Sequence, residues 1–152
     1  MNIVELEVNL KYVTQKVLVH GCNCQGQMGS GVALLIRQIY PKAHKEYVDH
    51  CAKFKDKKSD LLGTIQVVDC GDKIIINSFT QLDFGTGRQQ VDYDALRNCF
   101  RLLNEYAKKN DIKEIVMPKI GSGLGGGSWD VISKIIEEES KDFQPIVSIK
   151  SK

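Results

Sequence analysis

The sequence predicts an α/β fold in which a mixed, largely parallel sheet is covered by helices on both faces. Three observations carry that expectation. Short runs with strand character are interleaved with segments of helical periodicity along the chain. Two glycine-rich loops each stand between such a strand and such a helix. The 152 residues suffice for one domain with a real core, and 42% hydrophobic with 26% charged side chains is an ordinary balance for a globular protein.

Each element has its own signal. Ile3 to Val8 alternates apolar and polar residues, as a half-buried strand does. Lys16 to Val19 is a short β-branched run leading into His20-Gly21. Ser30 is placed to cap a helix in which Val32, Leu35, Ile36 and Ile39 share a face. Pro41 breaks that helix, and a second is expected from about Lys42 to Cys51. Thr64 to Val68 and Lys73 to Phe79 read as strands joined by a turn at Gly71-Asp72. The segment Thr80 to Gln90, with Gly85 and Gly87, is too long for a tight turn and too polar for core, so it is expected to lie over a site. Asp92 caps a helix with the stripe Leu96, Cys99, Phe100, Leu103 and Ala107. Glu114 to Met117 is a buried-looking strand ending at Pro118. After a glycine loop comes a helix turning Trp129, Ile132, Ile135 and Ile136 inward, then a last strand from Ile146 to Ile149.

Composition excludes several function classes. A net charge of +2 gives no basis for a nucleic-acid partner, and Lys53, Lys55, Lys57 and Lys58 are interrupted by Asp56 and Asp60, as in a solvated connector. No apolar run approaches the roughly 20 residues of a membrane span. Met1-Asn2-Ile3-Val4-Glu5 is not the start of a signal peptide, so a cytoplasmic protein is expected. Five cysteines in such a chain predict reduced thiols.

The chemistry is expected at the glycine loops. The first runs from His20 through Cys22-Asn23-Cys24-Gln25-Gly26-Gln27-Met28-Gly29-Ser30-Gly31 to Val32. The second runs from Pro118 through Lys119-Ile120-Gly121-Ser122-Gly123-Leu124-Gly125-Gly126-Gly127-Ser128 to Trp129. Glycines let main-chain N–H groups converge and an anion come close, and the helix beyond each loop adds its unpaired N–H groups. Two such loops can grip a diphosphate without a cationic side chain; the bland alternative is a pair of flexible turns. Gly121-x-Gly123-x-x-Gly126 also fits a dinucleotide fingerprint, but no acidic residue closes the next strand at Ile149-Lys150, so a nicotinamide dehydrogenase is not expected. Neither loop has the Gly-Lys-Ser/Thr of a nucleotide-hydrolase phosphate loop.

At these loops the chain resembles the macrodomain family, and within it the small ADP-ribose 1''-phosphate phosphatases of yeast, bacteria and phages. His20-Gly-Cys-Asn-Cys-Gln through Gly29-Ser-Gly31-Val-Ala33 looks like that group's first loop, and Met117-Pro-Lys-Ile-Gly-Ser-Gly-Leu124 like its second. The resemblance covers nearly the whole chain and implies one three-layer α/β/α macrodomain over residues 1–152, with a cleft holding ADP-ribose or ADP-ribose 1''-phosphate. The ligand set it implies is Asn9, Leu10, Cys22, Asn23, Gly29, Ser30, Gly31, Val32, Phe79, Thr80, Gly121, Ser122, Gly123, Leu124 and Gly125. Asn23 would bond the distal ribose, the two loops would wrap the diphosphate, and Phe79 and Thr80 would lie near the distal ribose.

Three departures bear on function. Asn9 stands where many macrodomains have an aspartate for the adenine amino group. Ser78-Phe79-Thr80-Gln81 and Gly125 replace the lysine and acid of relatives that strip ADP-ribose from glutamate or DNA. Ser128 stands where phosphatase-like members often carry aspartate, and Asp130 two residues on is a favourable charge at a helix start.

Among three histidines, His20 beside the first loop is the candidate catalyst, as nucleophile or acid/base, against the alternative of a residue that only bonds the loop backbone. His44 and His50 read as surface residues. His20, Cys22 and Cys24 alternate along the chain but lack a suitable second pair for zinc, so buried thiols are expected, with Cys70 at a strand end and Cys99 in the core. Trp129 reads as packing, and Asp83 and Arg88 as residues able to reach over the cleft. The leading function is hydrolysis of ADP-ribose 1''-phosphate by a monomer without metal or cofactor. The alternatives are a non-catalytic ADP-ribose binding module, reading free or protein-linked ADP-ribose, and a glycohydrolase or deacetylase acting on ADP-ribosylated macromolecules or O-acetyl-ADP-ribose.

Overall fold

The computed structural model describes residues 1–29, 31–85, 89–123 and 125–150. Its strands are β1 (Val4–Asn9), β2 (Val17–Asn23), β3 (Ile65–Asp69), β4 (Ile74–Gln81), β5 (Glu114–Met117) and β6 (Gln144–Lys150). Its helices are α1 (Gly31–Ile39), α2 (Pro41–Ala52), α3 (Tyr93–Lys109) and α4 (Trp129–Glu139). The strands form one sheet in the order β1-β6-β5-β2-β4-β3. Every neighbouring pair is parallel except β3 with β4. That exception is a hairpin, closed where Gly71 takes φ +92° and the Cys70 N–H donates to the Lys73 carbonyl at 2.8 Å.

Strand alternation sorts the core into layers. Val17, Val19, Ile76, Ile115, Met117 and Val147 point to one face, where Leu96, Phe100 and Leu103 of α3 meet Ile132 and Ile136 of α4. Leu18, Ile75, Val116 and Ile146 point to the other, against Ile36 of α1 and Ala43 of α2. The architecture is therefore three layers, α/β/α, as the sequence predicts. Each of these branched side chains contributes roughly 1.5–3 kcal/mol when fully buried. Arg97 Nη1 and Arg101 Nε meet the two oxygens of Glu139 at 2.7 and 3.3 Å, pinning α3 to α4 on the outer side. Among the described residues, no helix is long and apolar enough to cross a membrane.

Three strands run further than their sequence signals, β6 by beginning at Gln144 and ending at Lys150. β2 continues through Gly21 and Cys22 to Asn23 because its main chain pairs with β4 at His20↔Asn77, Gly21↔Ser78 and Cys22↔Phe79. That ladder outweighs the poor strand preference of glycine. β4 likewise includes Thr80 and Gln81, so the polar segment expected from Thr80 begins at Leu82, and Thr80 is fully buried.

The start of α3 is tied to the end of β4. The Asp92 N–H donates to the Thr80 carbonyl at 2.8 Å, and the Asp92 carboxylate accepts from the Ala95 N–H at 2.9 Å. Asp92→Ala should cost about 1 kcal/mol, a fall of roughly 2–4 °C in the thermal midpoint, and Asp92→Asn should recover most of it. An unchanged midpoint in Asp92→Ala would show that the cap contributes nothing.

Candidate functional site

Because β2, β4 and β5 run in the same direction, the segments that follow them converge on one edge of the sheet. They enclose a cleft of about 640 Å³, walled by Gly21 to Asn23, Gln27 to Gly29 and Gly31 to Ala33 on one side and by Pro118 to Gly121, Gly123 and Gly125 on the other, with Gln81, Phe84 and Gly85 completing it. A smaller depression of about 410 Å³ lies between the α1–α2 junction and the β3–β4 turn, away from both loops.

The first loop is organised by Asn23. Its Oδ1 accepts from the N–H groups of Gln25 (3.0 Å) and Gln27 (3.4 Å) and from the Tyr47 hydroxyl (2.8 Å), while its Nδ2 donates to the Gln27 carbonyl at 2.9 Å. The amide oxygen is therefore saturated, and among the described residues one Nδ2–H has no partner and is left to offer a ligand. Tyr47 is fully buried, its ring stacked on Phe79 at 5.9 Å. Phe79, also fully buried, thus supports the loop from beneath and does not line the cleft.

The second loop is folded upon itself. The Gly127 N–H donates to Gly121 O at 2.7 Å, the Gly126 N–H to Gly123 O at 3.1 Å, and Gly125 O accepts from the Gln90 and Val91 N–H groups at 2.7 and 3.1 Å. A Cβ on Gly125 would lie 2.8 Å from Gly121 O, and one on Gly127 would lie 2.5 Å from Val91. Gly121 has φ +77°. These three are glycine for the loop's own sake. Gly29 and Gly123 differ: each lines the cleft, neither has positive φ, and a Cβ on either would meet nothing within 4 Å. Among the described residues, no neighbour and no backbone conformation requires glycine there, so what these positions keep clear is the space of the cleft itself.

Lys119 is the only charged residue on the cleft wall among the described residues, a cation that the reading from glycines alone did not include. Its ammonium lies 5.7 Å from the centre of the Trp129 ring. Trp129 is half-buried against the α3/α4 core, as packing requires.

His20 is 1% exposed and is not part of the cleft wall. It shares its face of β2 with Leu18 and Cys22, beneath α2. Its Nε2 is 2.6 Å from Asn77 Oδ1. Asn77 Nδ2 donates to Gln66 Oε1 (3.0 Å) and to Ala43 O (3.4 Å), and Gln66 Nε2 donates to Glu46 O (3.0 Å). Glu46 O can only accept, so each amide in turn presents its oxygen to the next donor, and His20 Nε2 carries the hydrogen. Burial lowers the imidazole to about 4, against the opposing bond to Asn77. The ring is neutral near pH 7 and enclosed, with its Nε2 engaged by Asn77, where the sequence places a proton-transfer or nucleophilic role. Cys22 lines the cleft, but burial holds its thiol well above the usual range, and burial likewise pushes Cys24 and Cys99 up to about 12. These are inert thiols, as expected. Among the described residues, no three His, Cys, Asp or Glu side chains come together as a metal site.

Of the other expected positions, Cys22, Asn23, Gly29, Gly31, Val32, Gly121, Gly123 and Gly125 come together on the wall. Asn9 closes β1 with its Oδ1 accepting from the Lys11 N–H (3.0 Å), Leu10 is buried beside it, and neither lines the cleft. Thr80 lies beneath the floor, its Oγ1 2.8 Å from where a Gly21 Cβ would stand, and Ser122 Oγ bonds Lys119 O at 2.8 Å. Ser30, Leu124 and Arg88 lie outside the described residues. Asp83 accepts from its neighbour's N–H (3.0 Å), and exposed Ser128 starts α4 without a side-chain cap. His50 is no plain surface residue: its ring packs on Phe54 and Phe79 at 5.3 and 5.9 Å. Sequence reasoning missed Gln27, Met28, Gln81, Phe84 and Lys119; the signal for Phe84 was a lone aromatic in a polar segment.

Comparison with known proteins gives a consistent result. The sequence profile of the Macro domain matches residues 19–136. The 17.5 kDa protein of the tk-vs intergenic region of Enterobacteria phage T4 is 33% identical over 139 residues, 87% of this chain and 84% of that protein. The ADP-ribose 1''-phosphate phosphatase of Candida albicans is 30% identical over 129 residues, 80% of each chain. The macrodomain of Mycobacterium tuberculosis DarG superposes with a TM-score of 0.83 at 24% identity over 96% of both chains, a likeness of fold.

The enclosed imidazole makes stability depend on pH. An unfolded chain takes up the His20 proton near 6.5 and the folded one only near 4, so stability is complete above that window and is lost as pH falls through it. His44 and His50, both lowered chiefly by burial, act in the same direction. The urea midpoint should therefore fall between pH 7 and 4.5, His20 accounting for up to about 3 kcal/mol, and His20→Gln should flatten the profile. An equally steep profile in that variant would place the titrating group elsewhere.

Proposed function

This chain belongs to the Macro domain family, and we propose that it binds ADP-ribose in the cleft and hydrolyses ADP-ribose 1''-phosphate with water to ADP-ribose and inorganic phosphate. The observation that carries this reading is the pair Gly29 and Gly123, one from each loop, kept clear of side chain where nothing among the described residues demands it. Main-chain N–H groups near Gly29 and Gly31 and near Gly121, Gly123 and Gly125 would hold the diphosphate, helped by the start of α1 at Gly31. The free Nδ2–H of Asn23 suits a ribose hydroxyl, and the apolar wall of Val32, Ala33 and Pro118 suits the base. Donors fixed before the reaction can stabilise developing phosphoryl charge without a metal or cofactor. The phosphatase assignment of relatives such as the Candida albicans protein supports the substrate. In this reading His20 positions β2 and β4 under α2, and does not exchange protons with substrate. Support for reading residues 1–152 as one domain comes from β1 and β6, which lie outside the family match and complete the same sheet.

A second reading is a binding module without turnover, recognising free or protein-linked ADP-ribose. It is favoured by one observation: among the described residues the cleft wall holds no histidine, aspartate or glutamate.

Phosphate release from ADP-ribose 1''-phosphate separates the two, measured beside ADP-ribose affinity and thermal midpoint. Release by the wild type is expected. Gly29→Ala and Gly123→Ala should keep or slightly raise stability, by up to about 1 kcal/mol, leaving the midpoint level or higher, while weakening ADP-ribose about tenfold or more. Gly127→Ala should instead lower the midpoint, because its Cβ enters Val91. Binding without release would leave the module. Undiminished binding by Gly29→Ala and Gly123→Ala would remove the diphosphate from the cleft.

A further inference from the structure

The one cation on the described cleft wall is held by an aromatic ring, and that pairing has a use. Lys119 is fixed at its main chain, where its carbonyl accepts from the Ser122 N–H (3.3 Å) and hydroxyl (2.8 Å), while its side chain is exposed and rotates on four single bonds. Its ammonium rests 5.7 Å from the centre of the Trp129 ring. Trp129 has far less freedom, being packed against the α3/α4 core at the start of its helix. A cation–aromatic contact at an exposed site is weak, whereas a charge-assisted bond from an ammonium to a phosphate oxygen is among the strong ones. A phosphate entering the cleft therefore outbids the indole for Lys119.

We propose that Lys119 is the specificity-determining residue of the cleft, exchanging Trp129 for a ligand phosphate and so making affinity depend on how much phosphate charge the ligand carries. The main-chain donors of the two loops bind a diphosphate whether or not more charge is attached. Lys119 adds a contribution that grows with each further phosphate, and so favours ADP-ribose 1''-phosphate over its product ADP-ribose. Product release is then assisted by loss of the charge that Lys119 reads. The naming of these two ligands rests on the proposed function; the exchange between indole and phosphate does not.

Trp129 is the chain's single tryptophan, so its emission reports on the contact directly. The experiment is a titration of wild type, Lys119→Arg and Lys119→Met with ADP-ribose and with ADP-ribose 1''-phosphate, following Trp129 emission and, independently, heat of binding, at low and high salt. In the wild type, binding should change the emission, and ADP-ribose 1''-phosphate should bind more tightly with the steeper salt dependence. Lys119→Met should weaken ADP-ribose 1''-phosphate about tenfold and ADP-ribose less, lose the emission change and flatten the salt dependence. Lys119→Arg should restore the ligand preference. The proposal is overturned if Lys119→Met loses both ligands equally or neither, or if wild-type binding, seen as heat, leaves the emission unmoved. Failure of the phosphatase reading shows separately, as no phosphate release by a wild type that still prefers the more highly charged ligand.

Discussion

The parallel seating of β2 between β4 and β5 is the constraint from which the rest follows. Val17 through Cys22 runs in register with Ile74 through Phe79 on one side, and Leu18 faces Val116 on the other. Parallel strands cannot be joined by tight turns, so the chain must leave the sheet, pass through helices and return. That fixes α1 and α2 on one face and α3 and α4 on the other. It also brings three chain segments to a common edge, where main-chain groups that would have continued the ladder are free to face a ligand. The cleft is where the hydrogen bonding of the sheet stops.

Inside this frame, one line of polar groups runs beneath α2. His20, Asn77 and Gln66 reach from β2 across β4 and β3 to the carbonyl of Glu46, each satisfying the next. A buried chain of this kind tolerates one orientation of each member, and a half-satisfied chain costs more than an apolar core would. It holds β2, β4 and α2 in mutual register just below the loop that Asn23 and Tyr47 organise. The histidine is thus tied to the strand that carries Asn23.

Much of this was legible in the sequence. The stripe of α3, the capping Asp92 and the break at Pro41 are local signals, and the structure follows them. The ends of β2 and β4 were not, because Gly21 and Thr80 lack strand character and are drawn in by pairing with chain far away. Alternation could group His20 with Leu18 and Cys22, but not reveal that α2 would cover that face. Nor can a string of glycines show which of them the fold requires. Gly125 and Gly127 are set by contacts with Gly121 and Val91, and Gly29 and Gly123 by none; only three dimensions separate the two kinds. Lys119 was overlooked because its importance lies in having no charged neighbour on the described wall, a property of a surface and not of a motif.

The cross-bonded form of the second loop has a thermodynamic consequence. With Gly121, Gly123 and Gly125 already bonded to Gly127, Gly126 and to Gln90 and Val91, these residues give up much of their conformational entropy when the protein folds. Little is left to surrender when a ligand arrives. Association on this side of the cleft resembles the docking of two rigid bodies, with its entropy change set mainly by displaced water and by the ligand's own loss of motion. A recognition surface rich in the most pliable residue is in this way bonded in advance by its own main chain.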